Sequence, residues 1–389
     1  MRVLSVRKRA WQEATWPFAL SRLLAIILTY LGTTRFPLVG EWNRHGCSIS
    51  VHDCLFSWMR YDVLAYVGIA MHGYSVTRDT AFFPLWPLLM HCVGVLLGGS
   101  ILAYFLTGLV LSNLFFFLAL IVFYKLLEQE FDATIARNAL WYLTFTPFAI
   151  FFVIPYTESL FLLLCILCFY FLHRGGTYDW WLAGLCGLLA SMTRSAGLFL
   201  VLPYFIVYAR RYVLPLPLTL ACWREKVGAL LPLLLIPLGL GCYMLYLWYA
   251  KGDPLLFSKQ EVTWGRRFEL PWQPIWFGIQ QVFDPTLRAR FNAMDLAFVL
   301  LPLLTLVLGW RRLPLHYTLF ALVMAFFPLC YPQFNTLSSF PRYLVVIFPV
   351  VMIHALWSKH PRFDKAYLAL MAPLWGLNVM LFINHYWVA

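Results

Sequence analysis

The chain of 389 residues is 62% hydrophobic, 19% aromatic and only 12% charged, with a formal net charge of +12. That balance excludes a water-soluble globule and describes an integral membrane protein. The basic residues are spread over short connectors between apolar runs, so they read as positive-inside topology and anionic-headgroup contacts, not as a nucleic-acid-binding face.

The apolar runs are continuous and do not alternate at every second residue, so they imply helices and not a barrel. Arg2, Arg7, Lys8 and Arg9 precede a first span over Trp16 to Pro37, which lacks the cleavage site of a secretory signal and is read as a retained helix with a cytoplasmic N-terminus. The segment 39–80 is then a large first extracytoplasmic loop. Within it Val63, Leu64, Tyr66, Val67 and Ala70 recur at helical spacing, which predicts a short amphipathic helix in the outer membrane interface with Asp62 in its first turn.

Further spans are expected at Phe82 to Leu97, Ile101 to Leu127, Asn138 to Ile154, Ser159 to Leu172, Leu182 to Ala209 and Val227 to Ala250. Four more follow at Ala293 to Leu308, Leu315 to Cys330, Tyr343 to Trp357 and Ala366 to Ile383. Allowing for broken helices, the total is about 11 to 13 crossings by the length that a bilayer requires. The connectors "RRYV", "WREK", "GWRR" and "SKHPRFDK" mark the cytoplasmic side, which leaves a second large loop, 251–291, and "YPQFNTLSSFPR" outside. With no internal repeat, Gly/Ser linker or soluble segment, residues 1–389 read as one membrane domain.

Parity leaves the side of Glu158 open. Single crossings at Ile101 to Leu127 and Leu182 to Ala209 put it in the cytoplasm; two broken helices put it outside. Both runs carry a polar break, Ser112-Asn113 and Thr193-Arg194-Ser195, and the expectation is that both are broken. An ionisable side chain at membrane depth costs roughly 2.5 to 3.5 kcal/mol, so each needs a partner or a task. Asp62, Glu158, Arg194, Asp295 and Arg342 are such groups, with Arg60, His72 and Tyr74 around the first. Asp62 either charges a helix N-terminus or takes a proton from a polar acceptor. Glu158 and Asp295 also fit ordinary helix-start acids. Cys165 and Cys168 lie in an apolar helix and read as small hydrophobes; Cys47 and Cys54 could pair in an oxidising compartment. The histidines show no metal-ligand spacing.

The blocks "RYDVLAYVGIAMHGY", "TAFFPLWPLL", "LSNLFFFLAL", "PYTESLFLLL", "MTRSAGLFLVLP", "GDPLLFSKQEVTWGRR", "SFPRYLVVIFPV" and "NHYWVA" occur in the order seen in the PIG-V family of membrane mannosyltransferases, which the chain resembles nearly end to end. Tyr61 stands where that family usually has tryptophan. The resemblance implies an all-α GT-C-type helix bundle with its active site on the non-cytoplasmic face. It implies a polyprenyl-phosphate mannose donor, a glycolipid or other membrane-associated acceptor and inversion at the anomeric carbon; no cofactor is expected, and no metal, because arginine can neutralise a lipid monophosphate leaving group.

It also implies Asp62 as catalytic base. Arg194 and Arg342 then become candidates for the donor phosphate, because guanidinium matches phosphate geometry. Glu158 is a candidate second acid in the same cavity, and Trp264 and Arg266 are candidates for the mouth of the site. The compact chain points to a bacterial plasma membrane, with the endoplasmic reticulum as the other setting. A lipid or solute transporter is the rival class, but such proteins often carry internal repeats, and none is found here.

Overall fold

A computed structural model describes residues 2–35, 51–213, 220–283, 293–334 and 336–388. Among them every regular element is helical, apart from isolated bridges at Arg266, Gln333 and Thr336. Among the described residues, six helical stretches are long and apolar enough to cross a membrane: Arg9–Arg35, Ile101–Glu130, Ser195–Val213, Glu225–Lys251, Met294–Arg312 and Pro361–Ile383. Several of the other expected spans are short elements, including Leu85–Leu96, Leu315–Leu329 and Phe348–Trp357. Among the described residues six helices thus have spanning length where about 11 to 13 crossings were expected: the runs Leu182 to Ala209 and Tyr343 to Trp357 are divided, while others, such as Glu158–Arg174 and Leu315–Leu329, are single helices of 17 and 15 residues. Cys47 lies outside the described residues, so the Cys47–Cys54 pairing does too.

The chain forms two compact units. The first comprises Met1–Gly73, Leu89–Ser159 and His354–Ala389; the second comprises Tyr74–Leu88 and Leu160–Ile353.

In the first unit, α1 (Arg2–Arg35) runs antiparallel to α5 (Ile101–Glu130). Trp11 meets Phe117 edge-on at 5.5 Å, and Arg22 Nε donates to Asn113 Oδ1 at 2.7 Å. α6 (Ala133–Thr144) runs parallel to α1: Arg137 pairs with Glu13 at 2.9 Å, and Arg22 Nη2 donates to the Phe152 carbonyl at 2.8 Å. α18 (Pro361–Ile383) is also parallel to α1, since Gly376 faces Leu28 and Gly32 faces Ile383. The unit therefore has a Glu13 end and an opposite, far end.

The expected break in Ile101 to Leu127 is absent: α5 is continuous over 30 residues, about 45 Å of helix. Ser112 and Asn113 serve neighbouring segments without interrupting their own backbone. Ser112 Oγ meets Ser159 Oγ at 3.1 Å, and Asn113 Nδ2 donates to the Leu109 and Val153 carbonyls at 2.7 and 2.9 Å. A second departure concerns the run Phe82 to Leu97. α4 (Leu85–Leu96) has 12 residues, about 18 Å, against a hydrocarbon core of about 30 Å. His91 Nδ1 lies 2.6 Å from the Ala70 carbonyl and its ring stacks on Tyr104 at 6.1 Å, so α4 remains at the far end and α5 starts there. The expected crossing at Phe82 to Leu97 is thus corrected.

Arg22 locks this unit. Besides its two long-range hydrogen bonds it lies 4.6 and 4.8 Å from the Phe18 and Phe116 ring centres. Arg22→Ala is expected to leave Asn113 Oδ1 and the Phe152 carbonyl unpaired and to cost about 3 kcal/mol, the scale of two hydrogen bonds to a charged group. Thermal unfolding in detergent, compared with an exposed Arg9→Ala control, checks this.

In the second unit, α8 (Thr177–Thr193) packs on α11 (Leu235–Lys251) at backbone distance. A Cβ on Gly239 would come within 2.2 Å of the Leu188 carbonyl oxygen, so only glycine permits this approach. The expected break at Arg194 is present. α8 ends at Thr193, Arg194 is extended, a 3₁₀ turn covers Ser195–Leu200, and α9 (Val201–Tyr208) follows. Gly197 folds back on the end of α8, where a Cβ would lie 2.3 Å from the Ala190 backbone.

Candidate active site

Asp62 opens α3 (Asp62–His72) at the far end of the first unit. The apolar residues Val63, Tyr66, Val67 and Ala70 form the buried side of this helix, while Leu64 is 54% exposed and leaves the expected stripe. Tyr61, immediately before Asp62, has φ of 51°, a left-handed conformation that is strained for a bulky residue. Three contacts hold it. Its hydroxyl donates to the His385 carbonyl at 2.9 Å, and its ring meets Phe382 at 5.5 Å and Trp387 at 5.0 Å. The segment "NHYW" is therefore a clamp on the residue before the acid. Arg60 Nε donates to the Ser57 carbonyl at 2.6 Å, and burial pulls its guanidinium down to about 10 against the opposing effect of Tyr61.

Glu158 is fully buried at the start of α7 (Glu158–Arg174). Two residues earlier, Tyr156 meets Tyr66 of α3 edge-on at 6.1 Å. That contact places the starts of α3 and α7 at the same end of the first unit. His72 lies in the last turn of α3, exposed and about 15 Å of helix from Asp62, so the helix separates the two.

The second unit gathers three of the arginines singled out by sequence. Arg194, Arg266 and Arg342 lie 4.9, 5.0 and 5.6 Å from the centre of the Tyr343 ring, and Arg266 Nη2 donates to the Tyr343 hydroxyl. Arg194 is released to do so by the break after α8, and it also overlies Phe161 at 5.8 Å. Arg342 is 6% exposed and sits on the short α16 (Phe340–Leu344), which is entered through Ser339 at φ of 70°. Arg266 pairs with Glu261 at 3.3 Å. Burial opposes its charge, but Tyr343 and Glu261 outweigh burial and hold its pKa above the ordinary value. Three cations gathered around one aromatic ring concentrate positive potential and suit an oxyanion with several acceptor oxygens.

Trp264 stands beside this cluster in sequence but is held by another segment. Its Nε1 donates to the Arg78 carbonyl at 3.2 Å, the Arg78 guanidinium overlies its ring at 4.9 Å, and Phe82 meets it edge-on at 5.5 Å. Tyr74 is buried and structural: its hydroxyl donates to the Phe82 carbonyl at 2.8 Å and its ring packs on Tyr243. Sequence reasoning missed Tyr343, Arg22 and the "NHYW" clamp. The adjacency of Tyr343 to Arg342 was the only signal for the first. Among the described residues, no group of three or more His, Cys, Asp or Glu side chains is placed to hold a metal ion.

The family described as mannosyltransferase (PIG-V) matches residues 47–251, more than half of the chain. That stretch contains Asp62, Glu158 and Arg194, while Arg266 and Arg342 lie beyond it. Two curated relatives, both GPI mannosyltransferase 2 from Cryptococcus neoformans var. neoformans serotype D, are 30% identical over 201 residues, or 46% of this chain and 44% of theirs. The match thus spans less than half the length of these relatives. Among solved structures, ArnT from Cupriavidus metallidurans bound to undecaprenyl phosphate aligns with a TM-score of 0.51 and 13% identity over 94% of this chain and 65% of that one. This likeness shows the fold, an all-α, multi-spanning GT-C-type architecture.

Proposed function

This chain belongs to the PIG-V mannosyltransferase family, and from that premise we propose that it moves mannose from a polyprenyl-phosphate donor to an acceptor hydroxyl on the non-cytoplasmic face of a membrane. The observation that carries the reading is the convergence of Arg194, Arg266 and Arg342 on Tyr343. A lipid monophosphate has the charge and acceptor geometry for such a cluster. Two names support a lipid-linked sugar: the relatives are GPI mannosyltransferases, and the solved neighbour holds undecaprenyl phosphate.

In the reaction, the acceptor oxygen attacks the anomeric carbon while its proton passes to the Asp62 carboxylate. The bond from that carbon to the phosphate oxygen breaks, and the electron pair leaves with the polyprenyl phosphate. The arginine cluster stabilises the charge that develops on the leaving group, and the anomeric configuration inverts. Glu158 orients the acceptor or the transferred sugar by accepting hydrogen bonds from hydroxyls. Trp264 offers a ring face at the mouth of the site and Arg60 shapes the turn before Asp62, while His72, at the other end of α3, and Tyr74, held by Phe82 and Tyr243, stay outside the reacting centre. A bacterial plasma membrane or the endoplasmic reticulum would supply this donor and a glycolipid acceptor.

The test is direct. Purified protein in lipid nanodiscs is incubated with polyprenyl-phosphate mannose and total membrane lipid, and the products are identified by mass. A product heavier by one hexose, absent with nucleotide sugar alone, is expected; transfer from a nucleotide sugar without the lipid donor overturns the reading. Glu158→Gln is expected to retain folding and lose about tenfold or more in kcat/KM, as when a buried polar contact to substrate is weakened. Unchanged steady-state kinetics would remove Glu158 from the site.

A further inference from the structure

The segment after Arg266 carries a surface that the reaction does not use. α13 (Gln273–Phe283) has 11 residues, about 16 Å, too short to cross a bilayer. Its three buried residues, Pro274, Gly278 and Gln281, occupy one side, and Gly278 is packed so closely that a Cβ would lie 2.8 Å from Leu337 Cδ1. The opposite side carries Trp276, Ile279 and Phe283, with Trp276 61% and Phe283 79% exposed. Trp272, 60% exposed, extends this stripe by one turn. Gln273 and Gln280 form one flank, both exposed. The helix thus has a protein side, an aromatic side and a polar edge.

The neighbouring α14 (Ala293–Gly309) lies in a candidate span and exposes Leu300, Leu304 and Val307. The aromatic side of α13 is therefore next along the chain to an apolar surface of spanning length. Tryptophan with a polar edge is the composition suited to the boundary between headgroups and acyl chains. We propose that α13 is an interfacial helix whose occupant is the bilayer itself, with Trp276, Ile279 and Phe283 among the upper acyl chains and Gln273 and Gln280 toward the headgroups. The segment leading into it begins at Arg266 and is hydrogen-bonded to residues 330–334. The Phe334 backbone N–H donates to the Gly265 carbonyl at 2.9 Å, and the Glu269 N–H donates to the Cys330 carbonyl at 2.9 Å. On the proposed reading of the arginine cluster as a phosphate site, the helix sets Arg266 at headgroup depth, where lipid phosphates reside.

The experiment reads depth and not activity, so its outcome is independent of the sugar chemistry. Single nitroxide labels are placed at 273, 276, 279, 280 and 283 in the full chain, cleared of its native cysteines and reconstituted in nanodiscs. Labels at 276, 279 and 283 are expected to collide with oxygen in preference to a water-soluble nickel chelate, and those at 273 and 280 the reverse. Uniform access to the chelate overturns the proposal, and so does immobilisation of 276 and 279 by a second copy or another protein. The unaltered chain gives a second measurement. In nanodiscs, Trp276 is expected to be as protected from hydroxyl-radical oxidation as Trp16, which is 73% exposed within the span of α1; oxidation at the rate of a water-exposed tryptophan overturns it as well.

Discussion

Asp62→Asn is expected to lower kcat for sugar transfer by about 10²- to 10⁴-fold, the range that a positioned general base contributes. The substitution keeps the size of the side chain and can still accept hydrogen bonds at the start of a helix, so α3 and its buried residues should be retained. What it removes is the capacity to take a proton. Asp62→Glu should recover part of the rate, since the acid is restored on a longer arm. The measurement is single-turnover transfer from the lipid-linked donor in nanodiscs, with thermal unfolding in parallel. Retention of more than about a tenth of the wild-type rate would remove Asp62 as the base, because even the low end of such catalysis exceeds tenfold.

The second large effect is expected at the arginine cluster. Arg342→Lys keeps the charge but replaces a planar fork of donors by a point charge, which is not conservative where an oxyanion is held. With charge-assisted hydrogen bonds worth about 1.5 to 3 kcal/mol, kcat/KM for the lipid-phosphate donor should fall by roughly 10- to 100-fold. Arg342 is buried, so Arg266→Lys, at a less enclosed position, is the companion variant. Both should leave the dependence on acceptor concentration unchanged. Equal losses for donor and acceptor would point to a structural role for the cluster and would remove the phosphate assignment.

Much of the proposed chemistry was legible because ionisable residues are conspicuous in an apolar chain. Asp62, Glu158, Arg194 and Arg342 stand out for that reason, and the break at Arg194 followed from a polar triplet inside a run too long for one crossing. The same reasoning failed at Ser112-Asn113. A polar pair can interrupt its own helix or satisfy another segment, and only the position of Arg22 and Val153 decides. Hydropathy likewise misread Phe82 to Leu97, since a helix that stays at one end of a bundle is as apolar as one that crosses. Tyr343 escaped notice because its significance lies in three cations brought from separate elements, which no local pattern encodes.

The clamp on Tyr61 also bears on biogenesis. Tyr61 and its hydrogen-bond partner His385 are 324 residues apart in the chain. At a synthesis rate of about 5 to 20 residues per second, the segment carrying Asp62 waits on the order of tens of seconds for the residues that fix its strained neighbour. Through that interval the nascent chain holds its acid without the contacts that orient it. Competence for transfer is therefore expected to appear only when translation of the closing helix and "NHYW" is complete, so a partly inserted chain would not act on lipid-linked sugar in the same membrane.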